Sequence, residues 1–313
     1  MTKLTLLLPD GERFAGIALP ASLAKALGRA DQVTGQAGDQ AQLARHFRLV
    51  PNRWSDAALT RATDAGVDDA RSAAWLRADP AYIRPDINGA RLLATGAGLS
   101  ISVQDVDAFL PALRPLFGDA GFLLDAPHPS RWYVRLSRES RLPEFAPPSD
   151  VLGEDVFDHT PDGPEARRWR TLLSETQVML HNHPRNEERA RAGLVQVNSL
   201  WFWGGGVLPD SVASDVLTVF SDDPVLHGLA GVCTFTAMPF AEFTGFESLV
   251  DAALLDLRAV RDPKVLLERW LQPAHVFAMQ DKVDFDFADG RMFRMQPGQR
   301  WRLWRKPRTA LTA

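Results

Sequence analysis

The chain opens on a short leucine-rich run, Leu4 to Leu8, that Pro9-Asp10-Gly11 stops. Such a run bounded by turn residues predicts a buried strand. Asp10 then stands at its carboxyl end, the edge where open α/β sheets gather their sites. Ala21 to Leu27 carries a short helical pattern, and residues 28–72 are polar and irregular, with no regular element expected. Arg91 to Ser100 predicts a strand running into a glycine-rich turn. From Ser102 to Phe117, Val106, Phe109, Leu110, Leu113, Leu116 and Phe117 recur at helical spacing. Ser102 is its predicted cap, with Asp105 completing a capping box, and Pro111 and Pro115 predict a break or kink in its second half. Arg131 to Leu136 alternates as a strand does.

Residues 138–164 are rich in Pro, Ser, Glu and Asp and predict a long surface connection. Pro164 is placed at the first position of the strongest helix, whose buried face is Trp169, Leu172, Leu173, Thr176 and Leu180. That helix must end near His183, because Pro184 disfavours helix in the residue before it. Val197 to Trp203 predicts a strand broken by a turn at Gly204-Gly205-Gly206. Residues 249–257 are a further apolar stretch, and Lys264 to Leu271 predicts a short helix stopped by Pro273. Val283–Phe287 and Met292–Met295 flank Asp289-Gly290 as a hairpin. Helices and strands in alternation predict a mixed α/β protein.

Composition narrows the classes. The 313 residues are 45% hydrophobic and 24% charged, which excludes whole-chain disorder. One cysteine, Cys233, excludes a disulfide framework and a cysteine zinc site. A net charge of -4 offers no global basic field, so nucleic acid is not an expected partner. No apolar stretch reaches the length of a membrane span, and the leading apolar run is too short for a signal peptide, so a cytoplasmic location is expected.

The densest polar cluster is His181-Asn182-His183-Pro184-Arg185-Asn186, followed by Arg189 and Asn198. His181 and His183 have metal-ligand character without further ligands nearby; helix capping and anion binding through Arg189 and the asparagine amides are the other readings. Gly204-Gly205-Gly206 lacks the Lys-Ser/Thr that a phosphate loop needs, so tight-turn glycine is the default. Asp155 with His159, Asp158 with His159, and Asp223 with His227 have ligand spacing, against the simpler reading of solvated charge and turn residues. Arg291 to Arg308 holds seven basic residues, no acidic one, and Trp301 and Trp304. Stacking plus phosphate contact is its functional reading, and a last strand with an exposed tail is preferred.

One part of the chain resembles a known family. His183-Pro184-x-Asn186-x-x-Arg189-x-x-x-Gly193, then Asn198, then Trp203-Gly204-x-Gly206-x-x-Pro209, is similar to a segment of the archaeal-type cofactor-independent phosphoglycerate mutases, of the alkaline phosphatase superfamily. Leu6-Leu7-Leu8-Pro9-Asp10-Gly11 looks like their first strand with its metal-binding Asp, Ser55-Asp56-Ala57-Ala58 like the segment of their nucleophilic Ser, and Ala74–Asp79 like a strand carrying an Arg near substrate, here Arg77. As a whole the chain looks closest to the RpfE-like regulatory proteins of bacteria. The resemblance implies an alkaline-phosphatase-like mixed sheet flanked by helices, built from 1–95 and 201–313, with an inserted α+β subdomain at 96–200. It implies Asp10 and Ser55 in the catalytic positions, and Arg77, His183, Asn186, Arg189, Asn198 and Gly204 toward a phosphorylated ligand.

The chain departs from that family's pattern where two divalent metals would be held. After Gly206 only His227 and His275 remain, no adjacent Asp-His pair occurs, and Trp203 stands where the mutases have Arg. A covalent phosphoserine route needs the hydroxyl ionised and the phosphoryl charge neutralised, which two metals supply together. The expectation is a non-catalytic or much-altered relative, with no metal or other cofactor, that binds a phosphorylated metabolite or a protein partner in a regulatory role. The alternative is an active, manganese-dependent mutase or phosphatase with ligands drawn from elsewhere in the chain.

Overall fold

The computed structural model describes residues 2–87 and 89–312. In chain order its strands and helices are β1 (Lys3–Leu8), α1 (Ala21–Arg29), β2 (Asp31–Thr34), α2 (Asp39–Ala44), β3 (Arg48–Val50), α3 (Asp56–Ala65), α4 (Val67–Arg71), β4 (Ala74–Asp86) and β5 (Gly89–Thr95). Next come α5 (Val103–Asp119), β6 (Leu123–His128), β7 (Arg131–Leu136), α6 (Pro148–Val151), α7 (Ala166–His181), α8 (Pro184–Arg191) and β8 (Ser199–Val207). The last are β9 (Ser211–Ala213), β10 (Thr218–Phe220), α9 (Pro224–Ala230), β11 (Thr236–Met238), β12 (Ala253–Asp256), α10 (Pro263–Val265), α11 (Gln272–Phe277), β13 (Lys282–Phe287) and β14 (Arg291–Met295). The protein is a mixed α/β chain with a multi-stranded sheet flanked by helices.

The chain divides into two compact units, residues 1–52 with 210–313 and residues 53–209. The span 96–200 lies within the second unit, which also takes in 53–95 and 201–209. The first unit is built on a seven-stranded sheet ordered β11-β10-β12-β1-β13-β14-β2. Its five strands from β11 to β13 are parallel, and β14 and β2 add antiparallel pairs. The leucines of β1 are fully buried, as strands covered on both faces require. Leu23 and Leu27 of α1 and Leu271 and Ala274 near α11 pack with Leu4, Leu6, Leu255 and Phe285 in one core.

In the second unit β4 is the spine. Its residues 74–77 pair with β7, residues 81–86 pair with β5, and β8 runs antiparallel along its other side. α5 and α7 cover this sheet through Phe109, Leu113, Phe117, Trp169 and Leu172. The capping box of α5 is present, with Asp105 N–H on the Ser102 hydroxyl and Ser102 N–H on the Asp105 carboxylate.

Several expected breaks are absent. α5 runs unbroken through Pro111 and Pro115, both on its exposed face, where carbonyls deprived of a helical donor meet water. A π-type turn over Leu266–Leu271 carries the chain through Pro273 into α11, because wider hydrogen-bond spacing leaves room for a residue without N–H. The three glycines continue β8 instead of ending it, paired along β4 with an irregularity between Trp75 and Arg77. Pro164 precedes α7, which starts at Ala166, and Pro184 opens a second helix, α8. Residues 28–72 hold two strands and three helices where none was expected.

Candidate functional site

Parallel pairing brings the carboxyl ends of β1, β12 and β13 into line, with Leu7 opposite both Asp256 and Asp286. Asp10 follows β1 as expected. It is exposed and caps a short 3-10 turn, accepting from Glu12 N–H at 2.8 Å. Asp256, Asp286 and Asp289 at this edge each have a cation. Asp256 accepts Arg258 Nε at 2.8 Å and Nη2 at 2.7 Å, and the same Nη2 reaches Asp223 at 2.7 Å. Buried Asp286 takes Arg45 Nη2 at 2.6 Å and the His46 ring at 2.6 Å. Asp289 takes Arg291 and the Gly11 N–H.

Burial by itself disfavours an ionised Asp256. The hydrogen bonds and charge of Arg258, with a 2.8 Å bond from the Ser221 hydroxyl, outweigh it and hold the carboxyl below its ordinary range. Arg258 likewise loses by desolvation and gains more from Asp256, so its charge is fixed. The Asp223–His227 pair does not converge on a metal position. Asp223 caps α9 through Val225 N–H, and His227 Nε2 lies 2.7 Å from the Ser221 carbonyl oxygen, which makes that nitrogen a donor.

The two divalent metals that the resemblance implies need carboxylate and imidazole lone pairs aimed at a common point. These residues do not fit that need: Asp223, Asp256 and Asp286 face guanidinium groups, and no three His, Cys, Asp or Glu side chains among the described residues group as a metal site.

Ser55 belongs to the second unit. It is buried at the N-cap of α3, where its hydroxyl accepts from Ala58 N–H and donates to the Gly204 carbonyl, both at 3.2 Å. The glycines of β8 are there because they touch it. A Cβ on Gly206 would lie 2.9 Å from Ser55 Cβ and 3.1 Å from its hydroxyl, and one on Gly204 would lie 3.0 Å from Asp56 Cβ. Gly204 and Gly206 also adopt positive φ. Ser55 and Gly204 are thus brought together, as a serine hydroxyl at a helix start beneath a glycine strand.

Arg77 is buried nearby on β4. It forms a two-pronged pair with Asp79 at 2.9 and 2.8 Å, donates to Thr60, and stacks 5.0 Å from the Trp203 ring. Trp203 donates its indole N–H to Asp79 at 2.8 Å. Burial pushes the Asp79 carboxyl up, against the pull of Arg77 and Trp203. Beside this group, Asp64 accepts from Arg131 and from the Tyr133 hydroxyl. Sequence reading passed over Asp79, Asp64 and Tyr133, whose only signal is polarity at strand and helix positions facing a core.

The motif from His183 to Asn198 is wired into the scaffold. His183 caps α8, its Nδ1 accepting from Arg185 N–H, and its ring lies 4.8 Å from Phe109. Burial lowers its pKa. The Asn186 amide joins the Leu180 and Val197 carbonyls and the Val197 N–H. Arg189, fully buried, donates to Asp105 at 2.6 Å and to the Leu99 and Val195 carbonyls. Asn198 pairs both ends of its amide with the Ile83 backbone. His183 and Arg189 therefore tie α8 to α5, Asn186 ties α8 to the end of α7 and to Val197, Asn198 is bonded to Ile83 of β4, and Arg77 belongs to the Asp79 cluster.

With this geometry in view, the class is an α/β protein with a mainly parallel sheet in one unit and an antiparallel sheet under helices in the other. No family model matches the chain. It is 40% identical over 63 residues to a probable 2,3-bisphosphoglycerate-independent phosphoglycerate mutase of Geobacter sulfurreducens, covering 20% of this chain and 16% of that protein. It is 35% identical over 92 residues to the 2,3-bisphosphoglycerate-independent phosphoglycerate mutase of Methanothrix thermoacetophila, covering 28% and 23%. The matches to these curated relatives thus span less than a quarter of the relatives' length. Among solved structures, the cofactor-independent phosphoglycerate mutase from Thermoplasma acidophilum aligns with a TM-score of 0.44 at 15% identity, over 95% of this chain and 90% of that one. The PH0037 protein from Pyrococcus horikoshii aligns with a TM-score of 0.49 at 13% identity, over 94% and 87%. The chain is related in part of its sequence to the cofactor-independent phosphoglycerate mutases. No helix of the described residues is long and apolar enough to cross a membrane.

Proposed function

We propose that this chain is a non-catalytic, RpfE-like regulatory relative of the cofactor-independent phosphoglycerate mutases. In this reading it keeps an alkaline-phosphatase-like core, resides in the cytoplasm, and acts by binding a phosphorylated metabolite or a protein partner. The observation that carries it is the pairing of the sheet-edge carboxylates with arginine. Arg258 fills the space between Asp223 and Asp256, and Arg45 engages Asp286. A carboxylate that binds a divalent ion must give up such a partner, and the released guanidinium would repel the ion. The Ser55 hydroxyl donates to the Gly204 carbonyl, an acceptor too weak to take its proton.

The test is one preparation measured three ways. Protein incubated with manganese and freed of excess ion is expected to retain no stoichiometric metal by elemental analysis. It is expected to show no turnover of 3-phosphoglycerate or a generic phosphate ester. Calorimetric titration with 3-phosphoglycerate then separates a metabolite sensor, which gives heat without turnover, from a protein-binding relative, which gives none. Two bound metals with turnover would overturn the proposal in favour of an active mutase or phosphatase.

A further inference from the structure

The second unit also holds a cavity of about 750 Å³ whose lining does not include Ser55. That is within the size range of small-molecule sites, ~300–1,000 Å³. One wall is a single face of α7, where Arg170, Ser174, Gln177 and His181 recur at helical spacing beside Trp169 and Leu173. The sheet contributes Tyr82 and Ile83 of β4 and Trp201 and Phe202 of β8, successive residues that belong to opposite faces. Phe145 and the segment 156–161 form the opposite side.

Shape limits the occupant. At ~1.5 Å per residue, the α7 wall from Trp169 to His181 is about 18 Å long. A slot of that length and volume suits one elongated small molecule.

Chemistry limits it further. Tyr82, Phe145, Phe157, Trp169, Trp201 and Phe202 supply aromatic faces, which favour a planar aromatic ligand. The ionisable lining is Arg170, His159, His181 and the Tyr82 hydroxyl, with no carboxylate. Arg170 donates to the Pro161 carbonyl at 2.8 Å and faces the fully exposed Asp162 at 3.6 Å, a pair that solvent weakens. The walls are fixed in advance: Trp201 donates to the Ala146 carbonyl, Gln177 to Ser199, and Asn198 is held by Ile83. At the rim Phe157 and Val178 stand 67% and 66% exposed, apolar surface that a bound ligand would cover.

We infer that the second unit carries a separate binding site for an elongated aromatic anion, lying between α7 and the β4–β8 sheet with Arg170 as its charge partner. The site is independent of the metal and phosphoglycerate question, and an active mutase would leave it intact.

The probe is 1-anilinonaphthalene-8-sulfonate titrated into the full chain. One saturable site per chain, with blue-shifted emission and energy transfer from tryptophan, is expected. Ser174→Trp plugs the slot from an exposed helix position and should weaken binding at least about tenfold at an unchanged circular dichroism spectrum. Val178→Glu, on exposed surface, provides the same test by adding a negative charge at the rim. Arg170→Glu should weaken the sulfonate several-fold while leaving the uncharged N-phenyl-1-naphthylamine unaffected. Unsaturable binding, no binding, or equal binding by the wild type and the folded Ser174→Trp and Val178→Glu variants would overturn the inference.

Discussion

Replacing Arg258 by Met asks what holds the carboxyl ends of β10 and β12 together. The substitution keeps an unbranched side chain of similar reach and removes three charge-assisted hydrogen bonds, two to Asp256 and one to Asp223. Arg258, Asp256 and Asp223 have side chains 13%, 8% and 26% exposed. Breaking a buried ion pair costs about 3–5 kcal/mol, because the abandoned charge stays buried. Asp223 reaches water here, so the lower end applies, about 3 kcal/mol, equivalent to a fall of about 6–12 °C in thermal midpoint for a unit of this size. The assay is thermal unfolding followed by circular dichroism, with and without manganese. Vacating the guanidinium leaves two carboxylates and the Ser221 hydroxyl around a space shaped for a cation. Manganese should therefore raise the midpoint of Arg258→Met and leave the wild type unmoved. The double variant Arg258→Met with Asp256→Leu should recover part of the loss, since it strands one carboxylate fewer. An Arg258→Met protein as stable as wild type, or a wild type that manganese stabilises equally, would refute the reasoning.

Three further outcomes follow from the same geometry. Gly206→Ala should destabilise the second unit by about 1–3 kcal/mol in urea unfolding, since a Cβ at positive φ would press on Ser55 at 2.9 Å. Arg189→Lys should cost nearly as much as Arg189→Met, about 3 kcal/mol or more in the same assay, because one ammonium cannot reach Asp105 and the Leu99 and Val195 carbonyls from one position. Asp256 has its folded pKa depressed, so its contribution is present above the ordinary value of 3.8 and is lost as pH falls through the lower folded value. Urea midpoints measured from about pH 5 to about pH 2 should show that loss in the wild type and a smaller one in Arg258→Met.

The fold was legible where local chemistry decides it. The leucine run before Pro9, the Ser102–Asp105 box, the alternation of Arg131–Leu136 and the Asp289-Gly290 hairpin each reappear as elements, with ends within two residues of those expected. It was illegible where tertiary pairing overrides a local signal. Gly204–Gly206 have the composition of a turn, yet β4 on one side and Ser55 beneath them hold them extended. Pro111 and Pro115 are breakers whose cost shrinks on the exposed face of a helix anchored by Phe109 and Phe117. Asp56 to Ala65 was lost among polar residues because its buried face is made of small residues, Ala57, Ala58 and Ala62, around Leu59.

The site divides along the same line. The cluster His183–Asn198 stood out by its density of hydrogen-bonding groups, but density does not say whom the groups bond. Arg189 spends its donors on Asp105 and two backbone carbonyls, and Asn186 and Asn198 complete backbone ladders. A phosphate bound there would have to take Arg189 from Asp105, leaving that buried carboxylate with Arg185 as its remaining cation, at a cost below the about 3–5 kcal/mol of stranding a buried charge outright. In this chain the motif therefore builds an α5–α8 joint. On the proposed non-catalytic reading, the deciding residues stand at the ends of β12 and β13. There the informative signal was the spacing Asp256-x-Arg258, which at a strand's end folds a cation back onto its own carboxylate and does, inside one chain, the neutralising that a metal would do.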